Sequence, residues 1–286
     1  MSNPFDWPDF LPAFGRAAEA VGFSPIVLAE TDAGPLSLWE RAGRGPRVYL
    51  TSGIHGDEPA GPLALLDLMN EDFFAAEFDW VIGPALNPAG MAAGQRGNAA
   101  GLDLNRDYRR RRSREVAAHA AWIVAQPAPA LFLSLHEDWE TQDFYLYEIN
   151  LGADEPRRAR DIIAAVRPWF VPEAGPQIDG HVSREPGWIY HAAEADEPKG
   201  WPEAIFLAHH GCPLSFTFET PSHAPLASRV AAHRAAVRAA VRYFSQTCVE
   251  DAGDAQVVRF ADRLIGIGEG QGAGSPDRLA VRDASP

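Results

Sequence analysis

Short apolar runs alternate along this chain with longer segments in which apolar positions recur every three or four residues. The first spacing is that of buried strands and the second that of helices packed on them. Ser24–Glu30 and Pro35–Arg41 read as an opening hairpin turned at Asp32-Ala33-Gly34. Arg47–Thr51 is a strand that stops at Ser52-Gly53, and Leu63, Leu65, Leu66, Leu68 and Met69 mark an amphipathic helix after it. Trp80–Gly83 is the next strand, ending at Asn87-Pro88. Ser113–Gln126 reads as a helix with Ser113 as N-cap and Pro127 past its end. Strands are expected next at Ala130–Leu135 and Phe144–Tyr147, a helix at Glu155–Val166, a strand at Leu214–Phe218 and an Ala-rich helix at Pro225–Phe244.

Strands alternating with helices predict an α/β fold: a mostly parallel mixed sheet with helices on both faces. Residues 1–250 are expected to form one domain and 251–286 a C-terminal extension. The last part, 267–286, is poor in apolar groups and reads as flexible. Residues 172–203, rich in Pro, Gly, Trp and charge, read as a long irregular excursion, a length usually associated with functional loops.

Composition narrows the function classes. With 25 Lys+Arg against 39 Asp+Glu, the formal net charge is −14. Such a chain is poorly suited to a phosphate backbone or an anionic membrane surface, so neither nucleic acid nor membrane is an expected partner. Two cysteines, Cys212 and Cys248, support neither a disulfide framework nor a Cys-rich metal site. The first residues lack the charged and apolar regions of a secretory leader, and no apolar stretch is long enough to span a bilayer. The expectation is a soluble cytoplasmic protein; nothing in the sequence sets its oligomeric state.

In open α/β sheets ligands bind beyond the carboxyl ends of the strands, so the polar residues just past each apolar run carry the functional signal. Here they are His55-Gly56-Asp57-Glu58, Asn87, His136-Glu137-Asp138 and Glu219-Thr220. His55 and Glu58, at i and i+3 where a helix is about to begin, would share one side of a helical turn. With His136 from a neighbouring strand end they form a two-His, one-carboxylate set, the composition of a catalytic zinc site with an open position.

Arg96 and the run Gly101-Leu102-Asp103-Leu104-Asn105-Arg106-Asp107-Tyr108 extend this set. At this point the chain resembles the zinc carboxypeptidases of the M14 type over roughly residues 45–245. The short spacing from His55 to Asn105 is more similar to bacterial murein-peptide amidases and to the aspartoacylase and succinylglutamate desuccinylase branch. The resemblance implies one zinc ion held by His55, Glu58 and His136, with Asp103 orienting a ligand imidazole. It implies that Asn105 and Arg106 hold the substrate's terminal carboxylate, that Arg96 stabilises the oxyanion, and that Glu219 is the general base toward the metal-bound water. A tyrosine over the substrate carboxylate has no obvious counterpart; Tyr190 in the excursion is the candidate. The remaining arginines of the run, Arg109, Arg110, Arg111, Arg112 and Arg114, read as a solvated face, and His119, His181, His209, His210 and His223 as structural or exposed.

The leading expectation is therefore a zinc metallocarboxypeptidase acting on a peptide. An N-acyl amino acid deacylase on the same scaffold is the second reading, which a further basic residue for the acyl group, such as Arg184, would favour. A protein that binds metal or peptide without catalysis is the third.

Overall fold

The computed structural model describes residues 5–191 and 200–265, with side chains described up to residue 246. The chain divides into two compact units, Met1–Tyr243 and Phe244–Pro286. The described part of the second unit, 244–265, is helical. The first unit carries the elements α1 (Trp7–Ala20), β1 (Ser24–Thr31), β2 (Gly34–Arg41), β3 (Arg47–Ser52), α2 (Ala60–Asn70), β4 (Asp79–Gly83), α3 (Pro88–Ala93), α4 (Arg114–Ala125), β5 (Leu131–Asp138), β6 (Tyr145–Asn150) and α5 (Arg157–Val166). After these come β7 (Gln177–Ile178), β8 (His181–Val182), β9 (Trp188–Tyr190), α6 (Glu203–His209) and β10 (Leu214–Pro221), and then α7 (Leu226–Ile265). Among the described residues no helix is long and apolar enough to cross a membrane.

Eight strands form one sheet in the order β1-β2-β4-β3-β5-β10-β6-β9. The pairs β3–β4, β3–β5, β5–β10 and β6–β9 are parallel, and β1–β2, β2–β4 and β6–β10 antiparallel. This is the expected α/β architecture with a mixed sheet. From β3 the chain crosses to β4 on one side and later to β5 on the other, so the sheet reverses its winding between β3 and β5. A crevice opens at the carboxyl ends of the strands at such a point.

Strand residues alternate between faces, and the burial pattern divides accordingly. Tyr49 and Phe132 point to the face covered by α4 and α6, in a cluster with Val116, Ala120, Ile123 and Phe206. On the opposite face Gly61 of α2 sits so close to Ser52 and Leu135 that an added Cβ would come within 2.9 Å and 3.0 Å of theirs. Ser113 caps α4 by accepting from the Val116 amide at 3.3 Å, as its position predicts. α1 has no counterpart in the expected elements. Asp6 caps it, Pro8 stands in its first turn, and it buries Trp7, Phe10, Phe14 and Ala18.

Residues 267–286, expected to be flexible, lie outside the described residues, as do 192–199 of the excursion. The rest of the 172–203 segment is more ordered than its composition suggests. It supplies the small β7–β8 hairpin, the edge strand β9 and the start of α6.

Candidate active site

The loop between β3 and α2 brings the first two candidate ligands together. Its turn is sharp: Gly53 has a φ of 59°, and the Glu58 amide donates back to the His55 carbonyl at 3.4 Å. His55 and Glu58 thus face each other across a turn that precedes the helix, whereas the spacing alone suggested a helical turn. His55 Nδ1 lies 2.6 Å from Glu58 Oε1, and His136 Nδ1, at the end of β5, lies 3.0 Å from Glu58 Oε2. All three side chains are buried, and they offer ligand atoms within 4.8 Å of one another. Two imidazole nitrogens and a carboxylate directed at one point are a donor set that fits a divalent cation such as zinc.

Asp103 joins this centre to the rest of the cleft. Its Oδ1 lies 3.2 Å from His55 Nε2, leaving Nδ1 to face Glu58. Its Oδ2 accepts from Arg96 Nε at 3.1 Å. Oδ1 also accepts from the Asn105 amide at 2.9 Å, capping a single 3₁₀ turn, Leu104–Arg106. One carboxylate therefore sets the imidazole tautomer, the Arg96 guanidinium and the turn that presents Asn105 and Arg106. Asp103 is held well below the usual carboxylate range: burial opposes this, but the His55 hydrogen bond and the charges of His55, Arg96 and Arg106 outweigh it. For His55, burial works downward, and the Glu58 charge with the Asp103 and Glu58 hydrogen bonds carries the imidazole up to about 9.

Glu219 reaches the same place by register. It pairs with His136 on β5 and with Tyr145 on β6. Residues in register on adjacent strands point the same way, so the three line one face. Burial, reinforced by the charges of Glu58, Asp138 and Asp179 and opposed by Arg96, pushes the Glu219 carboxyl well above its usual range. A cation at the His55–Glu58–His136 centre would act against that shift.

The cleft encloses about 260 Å³ and is lined by His55, Glu58, Arg96, Asn105, Arg106, His136 and Glu219. Eight of the nine sequence candidates thus converge, Asp103 through its bonds to His55 and Arg96. The ninth, Tyr190, does not. It pairs in register with Glu148 on β6, whereas the cleft-facing residues of that strand are Tyr145, Tyr147 and Ile149. Alternation therefore directs Tyr190 to the opposite face of the sheet. There its ring lies 5.0 Å from the Arg184 guanidinium and its hydroxyl donates to the Asn150 carbonyl at 3.3 Å. Arg184 is bound bidentately by Asp154 at 2.8 Å and 2.6 Å and does not line the cleft.

Several cleft residues were not singled out from sequence. Tyr145 donates to Asp138 Oδ2 at 2.8 Å, and Tyr147 donates to Asp179. Their signal was the alternation Tyr145, Tyr147, Ile149 within a strand, but only pairing with β10 shows which face is the cleft. His181 and His191, from the excursion, also line it. Glu137 ties the end of β5 to the start of α2 and to Glu58. Its carboxylate accepts from the Ala60 amide at 2.7 Å and from Arg229, and its own amide donates to Glu58 Oε2 at 3.1 Å.

The ligand loop tolerates little change at Gly56. A Cβ there would meet the Gly90 carbonyl carbon at 1.9 Å and the Met91 nitrogen at 2.4 Å, both backbone atoms that cannot rotate away. Gly56→Ala is expected to shift His55 and Glu58 and weaken zinc retention by roughly 10–100-fold, the range found when a ligand's support is lost. Competition against a chromogenic chelator measures this, and an unchanged affinity would show that the loop yields without moving its ligands.

Comparison with known proteins agrees with this fold. Residues 44–144 match the succinylglutamate desuccinylase/aspartoacylase catalytic domain. A provisionally assigned metallopeptidase from Shewanella amazonensis superposes with a TM-score of 0.73 at 24% identity, covering 83% of this chain and 93% of that one. A metallo-carboxypeptidase from Burkholderia cenocepacia gives 0.61 at 21%, covering 84% and 70%. Carboxypeptidase 2 of Trichophyton rubrum is 31% identical over 148 residues, 48% of this chain and 26% of that protein. The chain thus spans about a quarter of the length of the curated carboxypeptidase it matches. The resemblance read from the motifs stands: the fold is carboxypeptidase-like, and residues 44–144 resemble the desuccinylase/aspartoacylase branch.

Proposed function

We propose that this protein is a zinc-dependent metallocarboxypeptidase that hydrolyses the amide bond next to a free C-terminal carboxylate. One observation carries the reading: a buried His55–Glu58–His136 donor set shares a cleft with Glu219, Arg96 and the Asn105–Arg106 pair. When bound, a zinc ion at that donor set supplies Lewis-acid polarisation and lowers the pKa of water.

The chain's own residues do the rest. Arg106 is exposed at the cleft, and its Nη1 donates to the Asn105 carbonyl at 3.0 Å. Its guanidinium can pair bidentately with the substrate's terminal carboxylate. Asn105 lines the cleft beside it. Arg96, fixed by Asp103, turns Nη1 toward Glu58 Oε1 at 3.7 Å and so stands at the edge of the metal centre, where it can offset negative charge on the former carbonyl oxygen. Glu219 can take a proton at its carboxylate from the attacking water and return it to the departing amine nitrogen.

Arg106→Ala is expected to raise KM for free-acid peptides by roughly 10-fold or more, the loss of a charge-assisted bidentate hydrogen bond. Steady-state kinetics on matched substrates checks this; an unchanged KM would place Arg106 with the exposed arginines that come after it. The reading as a whole is tested by product mass spectrometry. Zinc-loaded protein is incubated with peptides bearing free and amidated C-termini, and loss of one residue from the free acids alone is the expected result.

A second reading, an N-acyl amino acid deacylase, draws on the match of residues 44–144 to the desuccinylase/aspartoacylase domain. Among the described residues, however, the cleft contains only two guanidinium groups, Arg96 and Arg106, one assigned to the oxyanion and the other to the terminal carboxylate. A dicarboxylate acyl group would lack a third. Cleavage of N-succinyl or N-acetyl amino acids with no action on peptides would favour this second reading.

A further inference from the structure

Behind the cleft lies a buried imidazole that the reaction does not use. His119, on α4, is 1% exposed. Its Nε2 lies 2.5 Å from the hydroxyl of Tyr49 on β3, and its Nδ1 lies 2.7 Å from the hydroxyl of Tyr108. Both tyrosines are equally buried. Burial lowers the imidazole to about 3, so near neutral pH it is uncharged and carries one ring proton. One tyrosine therefore donates to the bare nitrogen, and the other accepts from the ring N–H. Losing either hydroxyl leaves a buried ring nitrogen without a partner, a larger loss than that of an exposed hydrogen bond.

The two tyrosines belong to segments that serve different parts of the site. β3 ends at Ser52, and the loop after it holds His55 and Glu58. Tyr108 follows the single turn Leu104–Arg106 by two residues, and the Asp107 amide between them closes that turn on the Leu104 carbonyl at 3.1 Å. One imidazole thus spans the strand that delivers two metal ligands and the turn that presents Asn105 and Arg106. Asp103 ties the leading end of that turn to His55, so His119 is a second tether, at the trailing end. The residues that lead into α6 hold the middle of the turn. The Glu203 amide donates to Asn105 Oδ1 at 2.9 Å, and a Cβ on Gly200 would meet the Arg106 carbonyl oxygen at 2.2 Å.

We propose that His119 is a positioning residue: bonded to Tyr49 and Tyr108 together, it sets the distance between the metal centre and the Asn105–Arg106 pair that receives the substrate's carboxylate. The assignment rests on the carboxypeptidase reading for that substrate. His119 does not line the cleft, so its effect falls on binding of the free carboxylate and passes through Arg106.

The test uses Tyr108→Phe and Tyr49→Phe, each of which keeps the ring and deletes one hydroxyl, in the full-length zinc-loaded protein. Each is expected to retain its zinc and to raise KM for a free-acid peptide by roughly 3–10-fold, with kcat changed by less than about threefold. Action through Arg106 also predicts non-additivity: in an Arg106→Ala background, either substitution should change KM by less than about twofold. A lower melting temperature with unchanged KM would show that the bridge only stabilises the fold, and would overturn the assignment. Equal factors in both backgrounds would overturn it too, as would an effect confined to one of the two tyrosines.

Calorimetric binding of N-acetylleucine and of its C-terminal amide separates this assignment from the reaction it rests on. If no peptide is cleaved, yet both tyrosine substitutions weaken binding of the acid and leave the amide unchanged, the carboxypeptidase reading fails and the His119 assignment stands. If the wild type binds acid and amide alike, or the substitutions weaken both alike, the assignment falls whatever the protein cleaves.

Discussion

Glu219→Gln is expected to retain its zinc and lose roughly 10²–10⁴-fold in kcat, the range assigned to a positioned acid or base. The substitution keeps the volume and one oxygen of the side chain but removes the site that takes and returns a proton. Register places Glu219 beside His136, while no hydrogen bond among the described residues ties its carboxylate to the three proposed ligands. The metal centre should therefore survive the change. Two measurements make the case together: zinc content by mass spectrometry of the metal, and kcat on a cleaved free-acid peptide. Normal turnover would remove Glu219 as the base. Loss of turnover together with loss of metal would mean that it supports the centre. A wild type that binds zinc but turns over neither peptides nor N-acyl amino acids would point to binding without catalysis.

His136→Ala is expected to weaken zinc retention by more than roughly 100-fold, beyond the range typical of losing a group that merely supports a ligand. His136 is buried, supplies one of the three ligand atoms and contacts Glu58 at 3.0 Å. Its removal leaves His55 and Glu58, too few donors for a stable site. Asp103→Asn is the informative control. It keeps the shape of the group that faces His55 Nε2 and Arg96 but removes its charge. Its effect should fall within the smaller range, about 10–100-fold. Equal zinc content in His136→Ala and wild type after dialysis against a chelator would break the ligand assignment.

Much of this was legible in the chain. The apolar runs at Arg47–Thr51, Ala130–Leu135 and Leu214–Phe218 became β3, β5 and β10, and the polar residues after them became the cleft. Strand ends in a wound sheet converge. The polar residues that follow these runs, His55, Glu58, His136 and Glu219, are therefore legible as one cluster. Position within a segment of mixed composition was less legible. The Pro- and Gly-rich residues 172–203 gave no usable period, yet they supply Asp179, His181 and Glu203 to the cleft. α1 escaped because Pro8 and Pro12 resemble turn residues, although Pro8 lies in the first turn, where a missing amide is harmless.

The choice of tyrosine shows where the boundary falls. Tyr145, Tyr147 and Tyr190 are all strand residues. The sequence determined that Tyr145 and Tyr147 share a face, because a strand's two-residue period arises from its own covalent geometry. Which face that was depended on pairing with β10, some seventy residues away, and the register of β9 on β6 turned Tyr190 the other way. The sequence likewise determined the kinds of chemistry present, since residue type sets what a group can donate, accept or ligate. Only the tertiary structure decided that the Glu203 amide meets Asn105 Oδ1, nearly a hundred residues away in the chain. That arrangement depends on contacts between segments that no local period links.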